Sequence, residues 1–319
     1  MPELPEVETI KQQLEKAIVG RVIKDVDVRE KRQFLGEPKN IINGKIIGLD
    51  RRAKILLIYL DNDFTLVIHL KMTGQLIWQS KILNRSIPSE FKSKIYKNEI
   101  IGGHPDKSYN KPSPHQYTRI IFTFDDGSRL FFNDLRKFGW MAVARRATKL
   151  KSNHAKGRSA IWAENEKVKI MEDYIDKLGV EPLSKDFTIE KLTEIIKKYP
   201  KQKIKTLLMN QELIAGIGNI YSDEILFASR IMPTRLAKTL SKNEIKLLFS
   251  AIPQILQKAI RFGGTSRSNY LKPDGSRGGY MDEAMVYGRK GLPCRVCGAI
   301  IKTIKINGRT GHYCSVCQK

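Results

Sequence analysis

The feature that most restricts the fold of this chain is a change in apolar period near residue 183. Before it, apolar residues fall in short runs separated by turn chemistry. After it, they recur at the three- and four-residue spacing of amphipathic helices. One core rarely serves both regimes over 319 residues, so two domains with a small appended module are expected. In the first part, residues 22–28, 46–49, 55–60, 64–70, 119–124 and 129–132 read as strands. Asp61-Asn62-Asp63 and Asp125-Asp126-Gly127-Ser128 supply turns between them. Many short strands with tight turns predict a β-sandwich. A helix precedes them: Pro5 suits a first turn, Glu6 and Glu8 complement the dipole, and Val7, Ile10, Leu14 and Ile18 form its apolar stripe. Gly20 is a plausible stop.

Two polar stretches interrupt this part. Residues 80–116 read as a long surface loop, and residues 147–168 as a mobile segment between domains. Beyond residue 183, helices read at 186–198, 201–210, 221–228 and 241–261. Residues 263–280 are rich in Gly, Ser and Arg and read as a flexible loop. The expected class is α+β: residues 1–147 as a β-sandwich with the first helix, 148–182 as a linker, 183–280 as a helical domain with its loop, and 281–319 as a cysteine-bearing hairpin.

All four cysteines lie in that last segment, as Cys294, Cys297, Cys314 and Cys317. Two close pairs separated by a hairpin-length stretch suit one tetrahedral zinc held by four thiolates. The alternative is two disulfides. No basic segment followed by an apolar stretch opens the chain, so no export signal is read; the protein is expected in the cytoplasm, where thiols stay reduced. The longest apolar runs, such as 55–60, are too short to span a bilayer, and no membrane association is expected.

Lys plus Arg is 57 against 33 for Asp plus Glu, a net charge of +24. Such an excess attracts a polyanion through phosphate contacts. Solubility or a lysine-favouring genome would produce it too.

Two short motifs carry chemistry. The chain begins Met1-Pro2-Glu3-Leu4-Pro5-Glu6, and initiator methionine is usually removed before a small residue. Pro2 would then present a secondary amine able to attack a sugar C1′, with Glu3 and Glu6 nearby to handle protons. The plainer alternative is a terminus that only resists degradation. The segment 213–224 places Gly216 and Gly218 between two helices, with a helix starting near Asn219. Its exposed N–H groups and positive dipole end would suit a phosphate, although a Gly-x-Gly more often marks just a turn.

Taken together, these segments resemble the Fpg family, the formamidopyrimidine-DNA glycosylases, relatives of endonuclease VIII. The carriers are the start Pro2-Glu3-Leu4-Pro5-Glu6-Val7-Glu8-Thr9, His69-Leu70-Lys71-Met72-Thr73-Gly74, Asp134-Leu135-Arg136-Lys137-Phe138-Gly139, residues 211–227 as a helix-two-turn-helix, and residues 286–317 as a zinc finger. Lys137 departs from the family, which more usually has arginine there, and the polar stretches are longer than typical. The resemblance implies a monomeric bifunctional glycosylase/lyase of base excision repair. It would excise 8-oxoguanine and formamidopyrimidines from duplex DNA held in a cleft between the domains, then nick by β,δ-elimination. Pro2 would be the Schiff-base nucleophile, Glu3 the acid/base at the sugar, and Glu6 a positioning group. Lys54, Asn219 and Arg309 would grip phosphates, His69 would contact DNA, and Met72, Arg136 and Phe138 would fill the gap left by an extruded base. The alternative for Met72 and Phe138 is an ordinary core position. Residues 265–279 would cap the lesion.

Two other readings remain: an endonuclease VIII-type enzyme for oxidised pyrimidines, and a non-catalytic zinc module that binds DNA. The Pro-Glu-Leu-Pro-Glu opening favours the Fpg type over the former. Intact Pro2, Glu3, Glu6 and Lys54 oppose the latter. The cysteine spacing yields a direct expectation: elemental analysis of the purified protein should find about one zinc per chain. No zinc, with disulfide-bonded cysteines, would refute it.

Overall fold

The computed structural model of the chain describes residues 2–80, 100–103, 113–146, 161–162, 173–265 and 279–319. They form two compact units. Described residues up to Lys177, apart from Glu3–Pro5, make the N-terminal unit; Glu3–Pro5, Leu178–Thr265 and residues 279–319 make the C-terminal unit.

The N-terminal unit is built from helix α1 (Leu4–Ile18) and two mainly antiparallel sheets. The five-stranded sheet runs β1 (Ile23–Val28), β8 (Thr118–Phe124), β9 (Arg129–Asp134), β6 (Gly74–Gln79) and β7 (Ile100–Gly103). The six-stranded sheet runs β11 (Ile161–Trp162), β10 (Trp140–Arg146), β5 (Phe64–His69), β4 (Ile55–Leu60) and β3 (Ile46–Arg52), with β2 (Phe34–Leu35) beside β10. One core joins them. Val7, Ile10, Leu14 and Ile18 of α1 pack with Leu56, Ile58 and Ile68 of one sheet and Leu76, Ile120 and Phe132 of the other. The α1 stripe is thus the one its spacing predicts.

Several elements differ from the expectation. β6 and β10 lack turn-bounded alternation and lie outside the expected strands. β7 lies inside the stretch read as a loop and pairs with β6, Leu76 opposite Gly102. β11 lies inside 147–168 and pairs with β10. Short strands like these take their identity from the partner that satisfies their backbone, which local composition does not encode. The rest of those two stretches, and residues 266–278 of the proposed capping loop, lie outside the described residues.

The C-terminal unit contains α2 (Ile189–Lys198), α3 (Ile204–Met209), α4 (Asn219–Ala228), α5 (Lys242–Arg261), the single turn α6 (Tyr280–Glu283), and a hairpin of β12 (Lys302–Ile306) and β13 (Arg309–Tyr313). Thr188 caps α2 by accepting the Lys191 N–H, and Ser241 and Glu244 form a reciprocal box at the start of α5. Leu192, Ile196, Leu207, Ile225, Leu248, Ile252 and Leu256 meet in one core.

Helix α4 is the centre of this unit. Its residues from Tyr221 to Phe227 are all buried, two carboxylates among them. Glu224 accepts the backbone N–H groups of Met285, Val286 and Tyr287 at 2.8, 2.9 and 2.8 Å. Asp223 takes the Lys205 ammonium on one oxygen, and both the His312 N–H and Nδ1 on the other, at 2.9 and 3.0 Å. The segment leading to the cysteine hairpin, and β13 itself, are therefore fastened to α4 by charge-assisted bonds. Burial pushes Glu224 above the usual carboxylate range, while its three amide partners oppose that rise.

Truncating Glu224 would strand three buried N–H groups. Glu224→Ala should cost about 3 kcal/mol or more, and Glu224→Gln roughly half as much, in urea denaturation of the full chain. Equal stability of Glu224→Ala and the parent would contradict this account.

Candidate functional site

The N-terminal unit holds Pro2, Glu6, Lys54, His69, Met72, Arg136 and Phe138, and the C-terminal unit holds Glu3, Asn219, Arg309 and the cysteines. Pro2 is buried and lies two residues before the start of α1; Glu6 is buried in its first turn. Lys54 is buried just after Ala53, whose φ of 53° turns β3 into β4. That turn is tied to α1: Arg51 donates from Nε to Glu8 at 2.8 Å and from Nη1 to the Ala53 carbonyl at 3.2 Å.

His69 ends β5 and is buried. Its Nδ1 accepts the Lys71 N–H at 3.0 Å, which leaves the ring proton on Nε2. Burial, then the charges of Lys71 and Lys54, hold its pKa well below the ordinary imidazole value, so the ring is neutral at pH 7. Lys71 lies with Nζ 5.0 Å from the centre of the Tyr174 ring. Two lysines thus supply the positive charge here, and the histidine supplies an N–H of fixed direction.

Met72 and Phe138 are 39% and 51% exposed, so neither is a core residue. Arg136 joins them: its guanidinium lies 3.5 Å from the Met72 sulfur and 4.8 Å from the centre of the Phe138 ring. Large side chains left in water, apolar ones flanking a planar cation, are equipped to enter a stack of bases. Lys137, which departs from the family pattern, pairs with Glu30 at 2.6 Å.

In the C-terminal unit, the start of α4 already carries an anion of the chain itself. The Glu3 carboxylate lies there, accepting the N–H groups of Gly218, Ile220 and Tyr221 at 2.6, 2.9 and 3.4 Å. A negative charge on these orphan donors is favoured by the helix dipole. Gly218 is required for it, since a Cβ there would sit 2.4 Å from the Glu3 Cδ. The Leu4 N–H donates to the Gly216 carbonyl at 3.0 Å and secures the same contact. Asn219 turns its side chain to the Tyr287 hydroxyl, lowering the pKa of that tyrosine, although burial outweighs it and the net shift is upward. Arg309 is exposed at the start of β13, directly after the Asn307-Gly308 turn. Lys205, buried and bonded to Asp223 and to the Ser222 hydroxyl at 2.9 Å, feels the charges of both Glu3 and Arg309.

The four cysteine sulfurs lie within 4.8 Å of one another, with no disulfide among them. The Cys294–Cys317 and Cys297–Cys314 separations are 3.9 and 3.5 Å. Zn–S bonds of about 2.3 Å in a tetrahedron need sulfurs about 3.8 Å apart, so the donor set and its spacing fit zinc. Among the described residues no other cluster of metal-binding side chains occurs, and no helix is long and apolar enough to cross a membrane.

Sequence reading missed Asp134, Thr73, Gln33, Asp223, Glu224 and Lys205. All six are buried polar residues. Only their position inside the recognised motifs, which holds for all but Gln33 and Lys205, could have drawn attention to them.

The family models for the formamidopyrimidine-DNA glycosylase N-terminal domain, the formamidopyrimidine-DNA glycosylase H2TH domain and the zinc finger found in FPG and IleRS match residues 1–141, 178–270 and 291–319. The formamidopyrimidine-DNA glycosylase of Halalkalibacterium halodurans is 37% identical over 325 residues, covering 100% of each chain. The Lactococcus lactis Fpg in complex with DNA containing an abasic site shares 31% identity and a TM-score of 0.76 over 99% of each chain. The wild-type enzyme in complex with DNA containing N7-benzyl-Fapy-dG shares 32% and 0.76 over 100% of each. Full-length similarity at this level, through every motif described above, establishes that the chain belongs to the formamidopyrimidine-DNA glycosylase family.

Proposed function

We propose that this chain excises oxidised purines, 8-oxoguanine and formamidopyrimidines, from duplex DNA and nicks the resulting abasic site, with the Pro2 amine as nucleophile. The observation that carries this reading is the Glu3 carboxylate held by three amides directly beside Pro2 in the chain. Consecutive Cα atoms are about 3.8 Å apart, so anchoring Glu3 restricts the amine that precedes it. Relatives named for formamidopyrimidine, and related structures bound to abasic and Fapy-containing DNA, support the substrate class.

In this mechanism the Pro2 nitrogen attacks C1′, and the bond from C1′ to the base breaks. Glu3 takes up the proton that the Pro2 nitrogen loses on attack and passes it to the sugar oxygen as the ring opens to the iminium, while the departing base is protonated by water; Glu6 positions the amine. Loss of a proton from C2′ expels the 3′ phosphate; a second elimination expels the 5′ phosphate. Hydrolysis of the remaining iminium restores the amine. Lys54, His69, Asn219 and Arg309 bind phosphate, while Met72, Arg136 and Phe138 occupy the vacated space in the helix. One zinc on Cys294, Cys297, Cys314 and Cys317 would stabilise the hairpin that carries Arg309, with no part in the chemistry. The protein acts as a monomer in the bacterial cytosol.

Borohydride should trap an enzyme–DNA adduct on 8-oxoguanine duplex, and Pro2→Gly should reduce trapping by at least about tenfold, as expected for loss of a covalent nucleophile. Normal excision and nicking by a protein with a blocked N-terminus would refute the mechanism. Preference for oxidised pyrimidines would favour the endonuclease VIII-type alternative.

Charge state sets a second expectation. Because burial and two lysines keep His69 neutral, His69→Gln should weaken DNA binding without changing its dependence on salt at pH 7. Lys54→Ala should lower the slope of log affinity against log salt by about one. Titrations showing equal slope changes for both variants would contradict the assigned charges.

A further inference from the structure

The two loops that carry Met72, Arg136 and Phe138 are neighbours because of sheet register. Strands β5 and β10 pair in one sheet, with His69 opposite Trp140. Strands β6 and β9 pair in the other, with Gly74 opposite Asp134. The β5–β6 and β9–β10 connections therefore cross between the sheets side by side. Register alone sets where the loops begin and end; it leaves the side chains at their tips undetermined.

A buried polar network does the rest. Asp134 is 0% exposed, and Thr73 and Gln33 are buried with it. The Thr73 hydroxyl donates to one Asp134 oxygen and accepts the Arg136 N–H at 3.1 Å. The other Asp134 oxygen accepts the Gly139 N–H at 2.8 Å and a proton from Gln33 Nε2 at 2.8 Å. The Gln33 amide also donates to the Gly139 carbonyl at 2.7 Å. Asp134 thus closes the loop from 134 to 139 into a ring and leaves Arg136 and Phe138 on its outside. Gly139 allows the closure, because a Cβ there would lie 2.8 Å from the Phe132 ring and 3.2 Å from the Asp134 carboxylate. Thr73, next in the chain to Met72, couples the second loop to that ring through a single oxygen.

We propose that Thr73 and Asp134 are positioning residues for reading the base opposite the lesion: they lock the Met72 loop and the Arg136–Phe138 loop into one rigid reader, so that selectivity for the opposite base depends on the Thr73 hydroxyl. The proposal rests on the function proposed above, in which Arg136 meets the orphaned base. A planar guanidinium discriminates between bases only when its direction is fixed, and misaligning a bidentate hydrogen-bond pair forfeits on the order of tenfold discrimination. Thr73 touches neither substrate nor nucleophile in this scheme. Its effect runs through the Arg136 backbone N–H.

The test is binding of the full-length protein to four duplexes that carry a stable tetrahydrofuran abasic analogue opposite C, G, A or T. The readout is the ratio of affinities between the best and worst opposite base. A variant that is partly unfolded weakens all four complexes equally, so the ratio responds to positioning and not to folded fraction. Thr73→Val removes both hydroxyl bonds at nearly constant volume and should lower the ratio about tenfold. Thr73→Ser keeps both bonds and should retain the parent ratio. Arg136→Ala should flatten the ratio, and adding Thr73→Val to it should change nothing further. An unchanged ratio in Thr73→Val, or a loss that persists in Thr73→Ser, overturns the clamp. A parent protein that ignores the opposite base, or binds the analogue no better than undamaged duplex, instead overturns the function on which the clamp depends.

Discussion

Three buried carboxylates around helix Asn219–Ala228 hold the C-terminal unit together. Glu3 occupies the N–H groups at its start, and Asp223 and Glu224 project from its first turns to Lys205, His312 and the amides of residues 285–287. A buried charge is tolerated only when its hydrogen bonds are supplied in full, and each of these is met by several donors. The same bonds bring the first residues of the chain and the cysteine hairpin to one helix. Sites from the two ends of the sequence, residues 3 and 309, therefore share a single scaffold, and the buried Lys205 senses both.

In the N-terminal unit the equivalent constraint is sheet pairing. The crossovers after β5 and β9 emerge together because their flanking strands are paired in both sheets. This geometry lets three large side chains stand in solvent at fixed spacing, where an isolated loop would let them collapse onto the nearest apolar surface. The turn that carries Lys54 is held differently, by the Arg51–Glu8 pair that reaches back to the first helix. In both places a connection between strands is made rigid by a polar group that is itself largely shielded from water.

The electrostatics divide labour among residue types. The overall charge of +24 draws a polyanion from a distance. Near His69 the positive charge rests on Lys54 and Lys71, while the imidazole is kept neutral by its burial and by those same lysines. A neutral donor of fixed direction and two cations are thereby combined in one patch.

Much of this was legible in the sequence. The α1 stripe, the strand Ile55–Leu60, the capped helix Lys242–Arg261 and the cysteine quartet follow from short-range periodicity and spacing, which local physics enforces whatever the remainder of the chain does. The motifs likewise identified the residues proposed for chemistry. Tertiary structure alone decided the rest. Strands β7 and β11 exist because a partner edge satisfies their backbone. The anion at Gly218 is Glu3, 215 residues away in sequence, because only folding brings that carboxylate to the helix start. Whether Met72 and Phe138 were core or surface depended on which sheets their loops connect. Hydrogen bonds and burial between distant segments leave no periodic trace in composition, so a sequence reports the groups available and the fold determines which of them meet.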